Sequence, residues 1–205
     1  MARVVHILIL SLSLLSSFNV LSQSSWELDK QNNGITVYTR SEKDSNFKSF
    51  KAQVLVNAEI EEVCKVLKEV NNYINWFGYT RTSKTLKKEE DFQYVYVETI
   101  FPWPYANRDM VYKMSFEEID TNEILILLKG IPNYLAEIKG VLRMEKANGS
   151  ILIKSQGEKT EVIYTFHSEP GGNIPIWLAN NSIAELPYKT LLGLRKQLSN
   201  EPLLK

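Results

Sequence analysis

Tyr164-Thr165-Phe166-His167-Ser168-Glu169-Pro170-Gly171-Gly172-Asn173-Ile174-Pro175-Ile176-Trp177-Leu178-Ala179-Asn180 is where this chain changes period. Up to Ser168 the residues alternate, with Val162, Tyr164 and Phe166 on one side and Glu161, Thr165 and His167 on the other, which is the pattern of a strand. Pro170-Gly171-Gly172 stops it, since proline gives up a donor and glycine admits backbone angles other residues resist. From Ile174 to Leu198 the apolar residues Ile176, Ile183, Leu186, Leu191, Leu194 and Leu198 recur at helical spacing. At about 1.5 Å per residue this predicts a helix of roughly 36 Å. Pro187 lies inside it and predicts a kink near Ala184 to Leu186.

Upstream of that junction the chain reads as strands joined by short connections, at 80–88, 91–101, 108–119, 123–130, 139–146, 150–156 and 160–168. Asn148-Gly149 predicts a two-residue hairpin and Gly157-Glu158-Lys159 another turn, so the run is an antiparallel meander. Nearer the N-terminus, Trp26 to Lys30 reads as a helical turn, Gln31 to Gly34 as a tight turn, and Ile35–Arg40 and Phe47–Asn57 as strands. Ile60, Val63, Cys64, Leu67 and Val70 predict a helix over 58–70, with Asn57 as N-cap and Glu59, Glu61 and Glu62 in its first turn. These elements describe an α+β fold in which a curved antiparallel sheet wraps around one long C-terminal helix. A curved sheet does not close flat on a helix, and a cavity between them is the expected result.

The whole chain carries 24 Lys plus Arg against 24 Asp plus Glu, which speaks against a nucleic-acid partner. Arg3 followed by the apolar run Val4 to Phe18 has the pattern of a secretory signal, with cleavage expected after Ser22. Ser11, Ser13, Ser16, Ser17 and Asn19 interrupt that run, which disfavours a spanning helix, and an uncleaved membrane anchor is the alternative reading. Residues 1–22 are thus read as a signal peptide and 23–205 as a single domain, exported and monomeric. Cys64 is the one cysteine, so no intramolecular disulfide supports the fold, and its place on a helix stripe predicts a buried, inert thiol.

Two segments resemble the START (StAR-related lipid transfer) domain family of the helix-grip, or Bet v 1-like, superfamily. One is Tyr96 to Tyr112, which contains Phe101-Pro102-Trp103-Pro104 and Asn107-Arg108-Asp109. The other is the junction quoted above, with Pro170-Gly171-Gly172-Asn173-Ile174-Pro175-Ile176-Trp177-Leu178. Both are most similar to the phosphatidylcholine-transfer branch, and the element order agrees over residues 23–200. The resemblance implies a hydrophobic tunnel for one lipid, a lid made of the last helix and neighbouring loops, transient contact with a membrane surface, no cofactor and no chemistry on the ligand. Together with strand parity, it points to Tyr94, Tyr96, Glu98, Trp103, Arg108, Met110, Tyr112, Met114, Phe116, Tyr164 and Phe166 as ligand-binding residues. Gly171, Gly172, Ile176, Trp177 and Ile183 are the lid residues it implies.

The residues themselves add detail. Met110, Tyr112, Met114 and Phe116 share the parity of Arg108, so Arg108 starts on the interior face while Asp109 falls on the wet one. A buried guanidinium needs a partner, and three readings stand open: Glu98 from the preceding strand, an anionic lipid headgroup, or a salt bridge that fixes the Pro-Trp-Pro loop without touching ligand. Glu98 faces inward with Tyr94 and Tyr96 if that aromatic side is the inner one; Val95 and Val97 give the opposite side a rival claim. Sterol-binding members of the family carry a second arginine along this strand where Met114 stands, which leaves an oilier tunnel here. His167 points outward, and one His with one Cys makes no metal site. A cyclase-like or hydrolase-like enzyme using Glu98, Tyr112 or Arg108 is the alternative, as is an envelope interaction module with an exposed apolar patch and no enclosed cavity.

Overall fold

The computed structural model describes residues 25–199. The proposed signal sequence and its cleavage point lie outside them. Asn33 and Gly34 take φ of 50° and 67°, the pair of left-handed residues a two-residue hairpin requires. They join β1 (Glu27–Asn32) to β2 (Ile35–Arg40). The expected helical turn at Trp26 to Lys30 is therefore strand, its ladder supplied by β2. β3 (Ser49–Val56) buries Phe50, Ala52, Val54 and Val56 on one face, as the alternation predicts.

The helix α1 (Ile60–Lys68) turns Ile60, Val63, Cys64 and Leu67 into the core. Burying each of its larger aliphatic side chains contributes roughly 1.5–3 kcal/mol. It is shorter than expected at both ends. Glu59, not Asn57, holds the N-cap position, and no side chain caps it. At the other end the Tyr73 hydroxyl donates to the Leu67 carbonyl at 2.6 Å, and a 3-10 turn over Val70–Asn75 takes over. Tyr73, Trp76 and Phe77 pack there as one aromatic group.

Seven further strands follow: β4 (Thr80–Lys88), β5 (Phe92–Thr99), β6 (Arg108–Asp120), β7 (Glu123–Gly130), β8 (Leu142–Arg143), β9 (Lys146–Gln156) and β10 (Lys159–Glu169). Their order in the sheet is β1-β2-β3-β10-β9-β7-β6-β5-β4, antiparallel throughout, with β8 parallel to β6 at the margin. The sheet closes its long excursion by pairing β10 with β3.

Two expectations for this region fail. Asn148-Gly149 is no turn; both residues lie within β9, where Gly149 pairs with Leu128 on one side and Phe166 on the other. Two ladders outweigh the local turn preference, and glycine is there because a Cβ would sit 2.2 Å from the Thr165 carbonyl oxygen and 2.5 Å from Phe166 Cδ2. Nor is 139–146 a full strand. Arg143 gathers the carbonyls of Pro132, Leu135 and Ala136, which folds residues 131–141 over the sheet instead of along it.

The last segment is two helices, α2 (Ile176–Ser182) and α3 (Glu185–Leu198), in place of the single long one expected. Pro187 lacks the donor that would bond back to Ile183, so it fits only the first turn of a new helix. Leu191 and Leu194 of α3 enter the core. The helix rides close to the 3-10 turn: a Cβ on Gly193 would stand 2.1 Å from the Trp76 carbonyl oxygen. Sheet, α1 and α3 thus share one core, and α2 lies beyond its end.

Candidate functional site

Where α2 departs from the core a cavity of about 410 Å³ remains between it and the inner face of the sheet. Phe50, Met110, Tyr164 and Phe166 form its floor, Phe77 and Met144 its flanks, and Ile174, Leu178, Ile183 and Leu186 its roof. That volume lies in the range of about 300–1,000 Å³ found for small-ligand pockets. Rings pack edge to face within the wall, Phe50 against Tyr164 at 4.9 Å between centroids. Burial pushes the phenols of Tyr164 and of nearby Tyr112 well up, which keeps both neutral.

The roof is held at two joints. Asn180 of α2 donates through Nδ2 to the Asn46 carbonyl at 3.0 Å, and its Oδ1 accepts from the Lys48 backbone N–H at 3.0 Å. At the other joint Gly171 and Gly172 take φ of 61° and 63°, and Arg108 reaches them from β6. Its Nε donates to the Pro170 carbonyl at 3.1 Å and its Nη2 to that of Gly171 at 3.1 Å; Nη1 donates to the Ala106 carbonyl. The guanidinium also lies 4.6 Å from the Phe101 ring centroid. Arg108 is 1% exposed and has no carboxylate partner, and burial lowers its pKa.

The register corrects the facing expected for β5. Val95 pairs with Tyr112, Val97 with Met110 and Thr99 with Arg108, so these share the inner face. Tyr94, Tyr96 and Glu98 therefore belong to the opposite face, away from the cavity. Glu98 does not pair with Arg108: it accepts from Asn107 Nδ2 at 2.7 Å and lies 3.6 Å from Arg81. Tyr96 is buried nonetheless, and burial, with Asp109 and Glu98 beside it, pushes its phenol up.

Asp109 is likewise not on a wet face. It is wholly buried and takes a two-point ion pair from Arg143, Nε to Oδ1 at 2.7 Å and Nη2 to Oδ2 at 3.2 Å. The hydrogen bond to Asp109 raises the Arg143 pKa against the opposing effect of burial. Residues 131–141 cover this pair, which is why both sides of β5 and β6 are buried at that end.

The other residues singled out from the sequence divide plainly. Met110, Tyr164, Phe166 and Ile183 border the cavity; Tyr112 and Met114 lie deeper in the core on the same face. Phe116 is packed at the core margin under the Lys68 ammonium, 4.6 Å from its ring centroid. Trp103 is 91% exposed, Trp177 65% and Ile176 44%. His167 lies on the outer face, its Nδ1 3.2 Å from Ser49 Oγ and its Nε2 3.9 Å from Glu169. Cys64 is buried, and burial pushes its thiol up. Among the described residues no three His, Cys, Asp or Glu side chains cluster as a metal site. Sequence reasoning passed over Lys48, Met144, Leu178 and the Asp109–Arg143 pair; for Lys48 the signal was its shared parity with Phe50.

Comparison with known proteins agrees with this architecture. The sequence model of the START domain matches residues 13–200. An uncharacterized protein of Pseudomonas aeruginosa is 32% identical over 178 residues, 86% of this chain and 88% of its own length. The phosphatidylcholine transfer protein of Mus musculus is 29% identical over 168 residues, 78% of this chain and 77% of its own. Among solved structures, a STAR-related lipid transfer protein of Xanthomonas axonopodis superposes with a TM-score of 0.80 at 35% identity, covering 85% of this chain and 98% of that one.

Proposed function

Because this chain belongs to the START domain family, we propose that it holds one lipid in the cavity under α2 and passes it between membranes, without chemical change. The observation that carries this is the cavity itself: about 410 Å³, walled by Phe50, Met110, Tyr164 and Phe166, beneath a roof attached through two joints. An acyl chain there gains about 0.8 kcal/mol for each CH₂ removed from water. The similarity to proteins named for lipid transfer supports the same reading. Catalysis asks for a group poised near the working pH. Burial pushes the Tyr164 phenol away from that range, and Glu185, the one carboxylate of the wall among the described residues, is engaged by Lys30 at 2.5 Å.

Membrane contact belongs to the same proposal. Trp103 follows the wall residues Phe101 and Pro102, and Trp177 precedes the wall residue Leu178, so two exposed indoles flank the cavity from opposite joints. Indoles are favoured at the level of lipid headgroups. Replacing both by alanine is expected to slow lipid transfer between vesicles about tenfold while the amount of lipid held in each protein stays the same. Equal transfer rates would remove the membrane-contact role.

We further propose export, resting on the signal-like pattern from Arg3 to Ser22, and with it a monomeric state. Native mass spectrometry of the protein purified from its expressing cells tests these readings together. The expected species is a monomer that lacks the first 22 residues and carries one lipid. Ala179→Trp, which fills the cavity from the roof, is expected to reduce the bound lipid at least tenfold. A lipid-free wild type that takes up no fluorescent lipid would sink the binding proposal, and a full-length mass would sink export.

A further inference from the structure

Two cations stand beside the cavity, and neither has an anionic partner among the described residues. Lys48 immediately precedes β3 and shares the parity of Phe50, Ala52 and Val54, so its side chain leaves the backbone on the cavity side. It is half-buried, and its ammonium forms no hydrogen bond or ion pair with any described residue. Its backbone N–H is fixed by Asn180 of the roof, which places the charge where α2 meets the wall. Arg108 lies behind the wall residues Phe101 and Pro170, its guanidinium satisfied by carbonyls alone. Carbonyl dipoles satisfy its donors but leave its net charge in place. Among the described residues the one wall carboxylate, Glu185, is paired with Lys30.

We infer that the cavity selects an amphiphile whose head carries net negative charge, with Lys48 as the residue that receives it. This rests on the lipid-binding reading and narrows it. A low-dielectric cavity strengthens any field within it, and an unneutralised cation there favours an anion. A zwitterionic head brings an ammonium as well, which needs a carboxylate or open aromatic faces. The carboxylate is taken, and Phe50, Phe77 and Tyr164 turn edges to faces among themselves, at 84° and 66° between ring planes. Neutral heads gain nothing from Lys48 beyond an ordinary hydrogen bond.

The test loads the protein from vesicles of equimolar phosphatidylglycerol and phosphatidylcholine with identical acyl chains, then extracts and quantifies the bound lipid. Phosphatidylglycerol is expected to exceed phosphatidylcholine about tenfold, the lower end of what a hydrogen bond to a charged group is worth. Lys48→Met is expected to bring that ratio near one, and Lys48→Arg to keep it. Lys51→Met, on the outer face against Trp26 and Tyr38, is expected to leave the ratio as in the wild type. Millimolar inorganic phosphate is expected not to displace the lipid. Equal uptake of both lipids, a ratio unmoved by Lys48→Met, or displacement by phosphate would overturn the inference while lipid binding stands. Uptake of neither lipid would remove the binding reading, and the inference with it.

Discussion

Asp109→Ala is expected to lower folding stability by about 3–5 kcal/mol, the usual penalty for removing one member of a buried ion pair. For a chain of this size that corresponds to a fall in melting temperature of roughly 10 °C or more. The reason is geometric. Arg143 reaches Asp109 through two nitrogens at 2.7 and 3.2 Å, and both side chains are almost wholly shielded from solvent. Without the carboxylate the guanidinium stays buried with its charge uncompensated. It also holds the carbonyls of Pro132, Leu135 and Ala136, so residues 131–141 are expected to loosen and exchange amide hydrogens faster. Asp109→Leu combined with Arg143→Met is expected to regain most of the loss, because two apolar residues leave no stranded charge. A single variant within about 1 kcal/mol of the wild type by chemical denaturation would show that the pair carries no such weight.

That pair also explains which parts of the molecule were legible in the sequence. Along β3 and β10 one face meets the core and the other meets water, so alternation alone placed Phe50, Ala52, Val54, Tyr164 and Phe166 correctly on the inner face. Along β5 both faces are buried near the loop, by the core on one side and by Arg143 with residues 131–141 on the other. Alternation then carries no directional information. Tyr94, Tyr96 and Glu98 looked inward because aromatic residues outnumber aliphatic ones on their side; the register with β6 turns them outward. Asp109 looked wet because its covering segment is not adjacent in sequence.

Local signals failed where tertiary contacts override them. Asn148-Gly149 carries a strong turn preference, but the same glycine is what lets β9 pass beneath Phe166. Pro187 did mark a break in the last helix, although no pattern in the sequence told a kink from two separate helices. The family was legible because two of its motifs meet at one joint of the roof, where chain geometry is most constrained: Asn107-Arg108-Asp109 at one end of β6 and Pro170-Gly171-Gly172 at the end of β10. Lys48 belongs to neither motif. Its shared parity with Phe50 is the one sequence signal that sets it apart from the many solvated lysines, and its place in the fold gives that signal meaning.

Arg108→Met is expected to speed lipid exchange about tenfold or more and to lower stability by roughly 2–4 kcal/mol, from the loss of hydrogen bonds worth about 1.5–3 kcal/mol each to a charged donor, partly offset by no longer burying a charge. The guanidinium joins Ala106, before β6, to Pro170 and Gly171, at the start of the roof. Methionine fills similar space and donates nothing, so all three carbonyls lose a partner. Water restores those partners only if the glycine joint moves away from β6, and movement there lifts the roof. The variant therefore favours the open arrangement over the closed one more than it weakens the shared core, where Leu191, Leu194, Val63 and Leu67 are untouched. Two readouts separate the effects: transfer of a fluorescent lipid between vesicles, and denaturant midpoint. Faster transfer with a modest midpoint shift is the expected result. Unchanged transfer with a lower midpoint would make Arg108 a structural staple only, and would place the gate at the other joint, where Asn180 meets Asn46 and Lys48.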